Sequence, residues 1–242
     1  MTEYEDMSPW AVHFVRPSAS SLNPDGEESG YHSVMSILYE GRVDPVAEAH
    51  GVAGEIAGLR DRNRPACFSE IPLHLLARLA GSRSEYGIGF SQRFLRSKGG
   101  ARLWYVEDDS DAAAALRELV ARQSSGGIDP DDPLWRIAPF IDLATTRTSF
   151  GDYPWEREWR VPGGLDFTPR DVAFLFIPEE LHERALRYFT DIEVENSGPA
   201  YLCPYIDVRW DRAKIARKLA EIPARVDPSP EAVARRMGLD RI

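Results

Sequence analysis

The sequence has few cysteines and no motif for a structural metal. Cys67 and Cys203 are the two thiols among its 242 residues, and each lies in a short apolar stretch. Such surroundings are typical of cysteines that behave as small buried hydrophobic residues, and we expect no disulfide in a reducing compartment. Neither a C-x2-C nor an H-x3-H spacing occurs, so the sequence offers no zinc site and we expect no metal.

Long apolar runs are also missing. No stretch approaches the ~20 apolar residues that a membrane-spanning helix needs. Met1–Asp6 is acidic and lacks the basic-then-apolar pattern of a signal peptide. The composition, 43% hydrophobic and 28% charged, is that of a globular protein. We therefore expect a cytoplasmic protein that does not contact membranes.

Several familiar catalytic motifs are absent. Ser69 is not surrounded by the G-x-S-x-G elbow of a serine hydrolase. No G-x-x-x-x-G-K-S/T phosphate loop is present, and Gly87-Ile88-Gly89 lacks the third glycine of a dinucleotide fingerprint. The glycines of this segment instead mark a strand that a ligand or another backbone approaches closely.

The charge is acidic overall and uneven along the chain. A net charge of −10 disfavours non-specific binding to nucleic acid. The segment from Arg60 to Arg102, however, contains nine Lys or Arg residues and only three acidic ones, Asp61, Glu70 and Glu85. This segment is either a solvated face or a local basic cleft for a small anion, such as a dinucleotide, or for one strand of nucleic acid.

The pattern of short strands and helices predicts a single α+β domain without long βαβ crossovers. We expect a flexible N-terminus at 1–9, a core domain at 10–210 and a C-terminal helical tail at 211–242 packed on the core. The clearest predicted strands are Trp10–Val15, Ala66–Phe68, Tyr86–Phe90, Trp155–Val161 and Val172–Ile177, and the clearest predicted helices are Tyr31–Tyr39, Asp111–Gln123 with Asp111 as N-cap, Leu134–Ala144 and Pro178–Tyr188.

Charged residues follow one another at strand spacing near residue 158. In a strand Glu156, Glu158 and Arg160 share one face, with the two carboxylates about 7 Å apart. Carboxylates beside tryptophan, here Trp155 and Trp159, are often perturbed functional acids. The alternative is an exposed face of cross-strand ion pairs. In either case Arg160 is the expected counter-charge of Glu158.

Three further residues are candidates for binding. His13 lies mid-strand, on the face opposite Val12 and Phe14, and is either a structural histidine or a ligand-binding one. Arg16 ends the same strand, where a guanidinium can reach a phosphate. Ser69, at the end of the second strand, is either a helix cap or a hydrogen-bonding group for a ligand.

Four blocks of sequence together resemble a known family. They are His13–Pro17, Cys67–Pro72, Tyr86–Phe90 and Glu156–Val161. In order and spacing, across about residues 10–180, they resemble the AbiGi-like family of bacterial abortive phage-resistance proteins. The resemblance implies antiviral defence as one half of a two-gene pair, with a cognate toxin or antitoxin protein as partner.

The layout is more distantly similar to ADP-ribosyltransferases of the DarT type. That resemblance implies a split-sheet core, NAD as substrate, no metal, and nucleic acid only as an acceptor. It implies that His13 touches NAD, that Phe68-Ser69 forms the aromatic block, and that Glu156 or Glu158 is the catalytic acid. One of Arg60, Arg62 and Arg64 would grip the pyrophosphate.

Three functions remain open at this point. The chain is an NAD-consuming transferase or glycohydrolase, a non-catalytic antitoxin that uses the charged face as an interface, or, less favoured, a nuclease. The enzyme hypothesis predicts that His13 and Glu158 lie in one cleft on neighbouring strands. It also predicts that the glycine-rich segment His50–Arg64 is mobile until an anion binds.

Overall fold

The computed structural model describes residues 8–15, 26–47, 51–52, 54, 64–70, 72, 75–81, 83–127, 129, 131–144, 157–223 and 226. The strands in chain order are β1 (Trp10–Phe14), β2 (Arg42–Val43), β3 (Pro65–Ser69), β4 (Gly87–Ser91), β5 (Ala101–Arg102), β6 (Trp104–Glu107), β7 (Ile141–Ala144), β8 (Glu158–Pro162), β9 (Leu165–Asp166), β10 (Val172–Phe176) and β11 (Tyr205–Ile206). The α-helices are α1 (Gly26–Glu40), α2 (Leu76–Ala80), α3 (Gln92–Ser97), α4 (Asp111–Ser125), α5 (Pro133–Ile137), α6 (His182–Glu195) and α7 (Arg212–Leu219), and short 3-10 helices cover Ala138–Phe140 and Glu179–Leu181.

The predicted single α+β domain is confirmed, with mostly antiparallel strand pairing. Within it the chain forms two compact units, each built from separate stretches of sequence. The first unit comprises 1–42, 70–95 and 166–242, and the second comprises 43–69 and 96–165. His13 therefore belongs to the first unit, and Glu158 belongs to the second.

The first unit contains four strands in the order β11-β10-β4-β1. β10 pairs in parallel with β11 and antiparallel with β4, which in turn pairs antiparallel with β1. All five residues of β10 are buried, as its unbroken apolar sequence predicts. Trp10 and Val12 of β1 pack with Phe174 of β10 and with Ile215 of α7 in one hydrophobic core.

The glycines of β4 have a packing role. A Cβ built on Gly89 would lie 2.3 Å from a ring carbon of Phe174, and one on Gly87 would lie 2.1 Å from a ring carbon of Phe176. Both rings are completely buried. The predicted close approach was that of a ligand or another backbone. A backbone, the carbonyl oxygen of His13, comes close at Gly87, and the other close groups at Gly87 and Gly89 are the aromatic rings of the adjacent strand.

A buried carboxylate ties together the ends of the parallel strands in this unit. Asp207, only 2% exposed, directly follows β11. It accepts hydrogen bonds from the backbone N–H of Glu179, 2.7 Å away, and from the backbone and guanidinium of Arg209. Burial alone would raise the pKa of Asp207, but the hydrogen bonds from Arg209 outweigh burial and lower it.

The second unit contains the antiparallel strands β3-β8-β5, with β8 in the middle, and a separate parallel pair, β6 with β7. Trp135 of α5 and Ala138 form a small core against which Val52 and Val120 pack. The region predicted as a helix, Leu134–Ala144, divides instead into α5, a 3-10 helix and β7. Pro139 explains the change, because proline cannot donate the hydrogen bond that would continue an α-helix.

Other predicted boundaries shift at helix ends. α4 is capped by Ser110, whose hydroxyl accepts from the N–H of Ala113, so the prediction that Asp111 is the N-cap is wrong by one residue. α1 begins at Gly26, five residues before the predicted start at Tyr31. α6 begins at His182 and continues to Glu195, past the predicted end at Tyr188. Within the described residues, no helix combines the length and apolar character needed to cross a bilayer.

Candidate functional site

The charged strand near residue 158 is confirmed from Glu158 onward, and it is more buried than an exposed ion-paired face would be. In β8 Trp159, Arg160 and Val161 are all buried, and Glu158 is partly buried. Glu158 and Arg160 share one face, as predicted. Within the described residues β8 begins at Glu158, and Arg157 directly before it has a left-handed φ of 47°, which is not strand conformation. Glu156 and Trp155 lie outside the described residues, so the predicted position of Glu156 beside Glu158 stays a prediction.

Arg160 is the centre of the site. Its side chain is almost completely buried, with 2% of the residue exposed. Its Nε donates to Glu158 Oε1 at 2.8 Å, one terminal nitrogen donates to Asp142 Oδ2 at 2.7 Å, and the other donates to the carbonyl oxygen of Pro139 at 3.1 Å. The guanidinium is thus held on three sides. The expected pairing of Arg160 with Glu158 is confirmed, and Asp142 is a second partner.

The two carboxylates keep Arg160 charged. Burial would lower the pKa of Arg160, but the negative charges of Glu158 and Asp142 outweigh burial and raise it. The side chains of Glu158 and Asp142 are 24% and 36% exposed. A buried cation therefore lies behind two carboxylates that both reach the solvent.

Cys67 lies beside this cluster and has the surroundings of an unreactive thiol. It is the strand partner of Arg160, in β3. Burial raises the pKa of the Cys67 thiol, the charge of Glu158 raises it further, and Arg160 opposes them. A thiol with a raised pKa is a poor nucleophile at neutral pH, because the thiolate is the reactive form. The prediction that Cys67 packs as a small hydrophobic residue therefore agrees with its surroundings.

Ser69, one of the predicted binding residues, lies next to Glu158 in the sheet. The two are direct partners across β3 and β8, so their side chains share a face. Ser69 is 8% exposed. Phe68 pairs with Trp159 on the opposite face. Arg64 directly precedes β3, five residues and about 17 Å from Ser69 at ~3.3 Å per residue. Its Nε donates to the carbonyl of Val46.

Comparison with known proteins adds no relatives. The chain matches no protein-family profile, no curated protein and no solved structure. The resemblances to the AbiGi-like family and to ADP-ribosyltransferases therefore stay predictions. The chemistry of the site must be inferred from its own residues.

The opposite face of β8 carries an aromatic side chain between two cations. The guanidinium carbon of Arg102 lies 5.5 Å from the ring centre of Trp159, and that of Arg96 lies 5.7 Å away. Both distances are within the ~6 Å range of cation–π contacts. Because Trp159 is only 3% exposed, these arginines cover the ring. Trp159 therefore packs on the face of β8 opposite to Glu158 and Arg160.

A second feature of this unit is an open cleft of about 490 Å³. Its lining includes the cations Lys98 and Arg136 and the apolar residues Pro139, Phe140 and Pro162. Among the described residues the lining contains two cations and no carboxylate, which suits an anionic group such as a phosphate. Pro139 links the cleft to the candidate site, because its carbonyl oxygen holds Arg160.

The remaining predicted residues lie elsewhere or outside the described part. His13 is partly buried in β1, on the face opposite Val12 and Phe14 as predicted. Since it belongs to the other compact unit, its convergence with Glu158 on one cleft stays a prediction. Arg16 is not among the described residues, nor are Arg60 and Arg62 in the glycine-rich segment. In that segment Val52 is described, and its N–H donates to the carbonyl of Ile141.

Sequence reasoning missed Asp142 and the carbonyl of Pro139. Asp142 fell inside the predicted helix Leu134–Ala144, where no strand face could be assigned to it. The available signal was the single acid in the otherwise apolar Ile141–Ala144, which suggests a carboxylate with a partner. Within the described residues, no group of three or more His, Cys, Asp or Glu side chains is arranged to hold a metal ion.

Proposed function

We propose that this chain is an NAD-consuming enzyme of phage defence, an ADP-ribosyltransferase or NAD glycohydrolase in which Glu158 is the catalytic carboxylate. The observation that carries the proposal is the pairing of Glu158 with Ser69 across β3 and β8, with Glu158 fixed from behind by the buried Arg160. The order of elements along the chain supports it. A histidine strand, a helix, a Phe-Ser strand and a late acidic strand follow one another as the ADP-ribosyltransferase resemblance implies.

The chemistry fits a fixed carboxylate. When the bond between nicotinamide and ribose breaks, its electron pair leaves with the nicotinamide nitrogen, and positive charge develops on the ribose, as in glycoside cleavage. Glu158 would stabilise this charge in the transition state, and Ser69 would hold a ribose hydroxyl. Water, or a nucleophilic group of an acceptor, then bonds to the ribose carbon and loses a proton.

A non-catalytic antitoxin was the alternative, with Glu158 and Arg160 as part of an ion-paired protein interface. The burial of Arg160 disfavours that form of the hypothesis. A residue that is 2% exposed, with three internal acceptors, has no surface to offer a partner. The interface hypothesis would therefore need a different surface of the molecule.

The test is release of nicotinamide from NAD by the purified protein. Glu158→Gln keeps the shape of the side chain and removes its charge, so we expect a loss of at least 100-fold in kcat, about 2.7 kcal/mol of transition-state stabilisation. The matched control is Glu118→Gln, which removes a carboxylate from an exposed pair with Arg122 in the same unit. We expect the control to retain wild-type turnover.

Two results would reject the proposal. The first is that wild-type protein releases no nicotinamide above background, alone or with nucleic acid and protein acceptors. The second is that Glu158→Gln remains as active as Glu118→Gln while both are folded. Far-UV and near-UV circular dichroism on each variant establishes the folding requirement.

A further inference from the structure

We infer that Asp142 is a positioning residue for Glu158 and acts on it through Arg160. The inference rests on the proposed function, because it assigns Asp142 a part in the same reaction. Asp142 is not adjacent to Glu158 in sequence and belongs to a different pair of strands, β6 with β7. Both carboxylates bind the guanidinium of Arg160, which connects Asp142 to Glu158.

Asp142 fixes the orientation of the Glu158 carboxylate through the shape of the guanidinium between them. A guanidinium is planar and presents its N–H groups in fixed directions, so fixing two of its edges fixes the third. Asp142 and the Pro139 carbonyl hold the two terminal nitrogens at 2.7 and 3.1 Å. The Nε–H is then aimed at Glu158 Oε1, 2.8 Å away. Glu158 therefore has an orientation set by residues that precede β8.

Charge gives Asp142 a second effect. Glu158 and Arg160 alone would form a neutral pair, which attracts a developing cation only weakly. With Asp142 the three groups carry a net charge of −1, and because Arg160 is buried the cluster is partly shielded from solvent screening. Asp142 thus neutralises Arg160, and the charge of Glu158 remains available to stabilise a ribosyl cation.

Asp142→Asn tests both effects, since asparagine keeps the size and one acceptor oxygen but removes the charge. For a unit charge about 8 Å from a developing cation at an effective dielectric constant near 20, Coulomb's law gives roughly a 30-fold change in rate. We expect kcat for nicotinamide release to fall by about that factor while KM for NAD changes less than about threefold. Asp142→Glu is expected to recover a substantial part of the lost kcat.

The control is Asp108→Asn, a substitution of the same kind at an acid of similar exposure, 39% against 36%, which pairs with Arg117 on the surface. We expect it to leave kcat and KM unchanged. A second measurement reports on Arg160 directly. The exchange rate of its Nε–H with water, followed by 15N NMR, is expected to rise in Asp142→Asn and to stay constant in Asp108→Asn.

The outcomes separate the two proposals. Turnover by the wild type with Asp142→Asn equal to Asp108→Asn would overturn the role of Asp142 and leave the proposed function standing. Equal losses in kcat and in folded fraction, without recovery in Asp142→Glu, would also overturn it, because the residue would then be merely structural. No turnover by the wild type would overturn the proposed function and, with it, the inference.

Discussion

Replacing Arg160 with methionine should destabilise the protein strongly. Methionine has a similar length and no charge, so the substitution removes the guanidinium with little change in volume. It leaves Glu158 and Asp142 without the cation that both of them bind, and it leaves the Pro139 carbonyl without its donor. The perturbation thus acts on three acceptors at once.

The size of the effect follows from those three contacts. Breaking a buried ion pair by removing one partner costs ~3–5 kcal/mol, and an unpaired buried carbonyl adds ~1–3 kcal/mol. The two carboxylates are about one quarter and one third exposed, so water compensates part of the loss. We expect the free energy of unfolding to fall by roughly 3 kcal/mol, equivalent to about 6–12 °C in Tm for a chain of this size.

Urea denaturation followed by tryptophan fluorescence measures this change. Arg117→Met, which disrupts the exposed pair with Asp108, is the control and should cost less than about 0.5 kcal/mol. The triple variant Arg160→Met, Glu158→Gln, Asp142→Asn should recover part of the lost stability, because no unpaired charge then remains. A loss below about 1 kcal/mol in Arg160→Met would refute the description of Arg160 as the centre of a buried network.

Two further predictions concern the first unit. Asp207→Asn should lower the free energy of unfolding by about 1–3 kcal/mol at pH 7. The pKa of Asp207 is lowered by folding, so its contribution is complete above the unfolded value of ~3.9 and is lost as the pH falls through the folded pKa. The difference between wild type and variant in urea titrations should therefore shrink below about pH 4, and a constant difference would contradict it. Gly89→Ala should cost about 1–3 kcal/mol by overpacking against Phe174. Gly81→Ala, whose added Cβ would have no atom of the described residues within 4 Å beyond its chain neighbours, should be nearly neutral in the same assay.

Much of the fold could be predicted where apolar residues recur at strand or helix spacing. β1, β4 and β10 appear within one residue of their predicted ends, because each is a short apolar run whose burial decides its conformation. Helix starts were harder, since they depend on which side chain reaches a backbone N–H. Ser110 and Asp111 are both residue types that cap helices well. Which of the two becomes the N-cap of α4 depends on the backbone turn before the helix, and it is Ser110.

The part of the candidate site that is formed by neighbours in the sequence was predictable, and the part that depends on distant residues was not. Glu158 and Arg160 are two residues apart, so strand alternation alone places them together. Asp142 is 16 residues before Glu158 in sequence, and its contact with Arg160 depends on the chain turning from α5 into β7 at Pro139. Tertiary packing determines that turn, and no periodicity in the sequence signals it. Arg157, with its left-handed φ, interrupts the extended backbone just before β8. Glu156 lies outside the described residues, so its predicted place beside Glu158 stays a prediction.

The interleaving of the two units along the chain has a consequence during synthesis. The second unit ends at residue 165, whereas the first unit takes β10, β11 and α7 from residues 166 onward. A ribosome therefore releases β3, β5 and β8, the strand that contains Glu158, before it releases β10, which pairs with β4. A nonsense mutation shortly after residue 165 would yield a chain with a complete second unit and a first unit without β10. In such a product the aromatic partners of Gly87 and Gly89 would be missing, and β4 would present an unpaired apolar edge that favours aggregation.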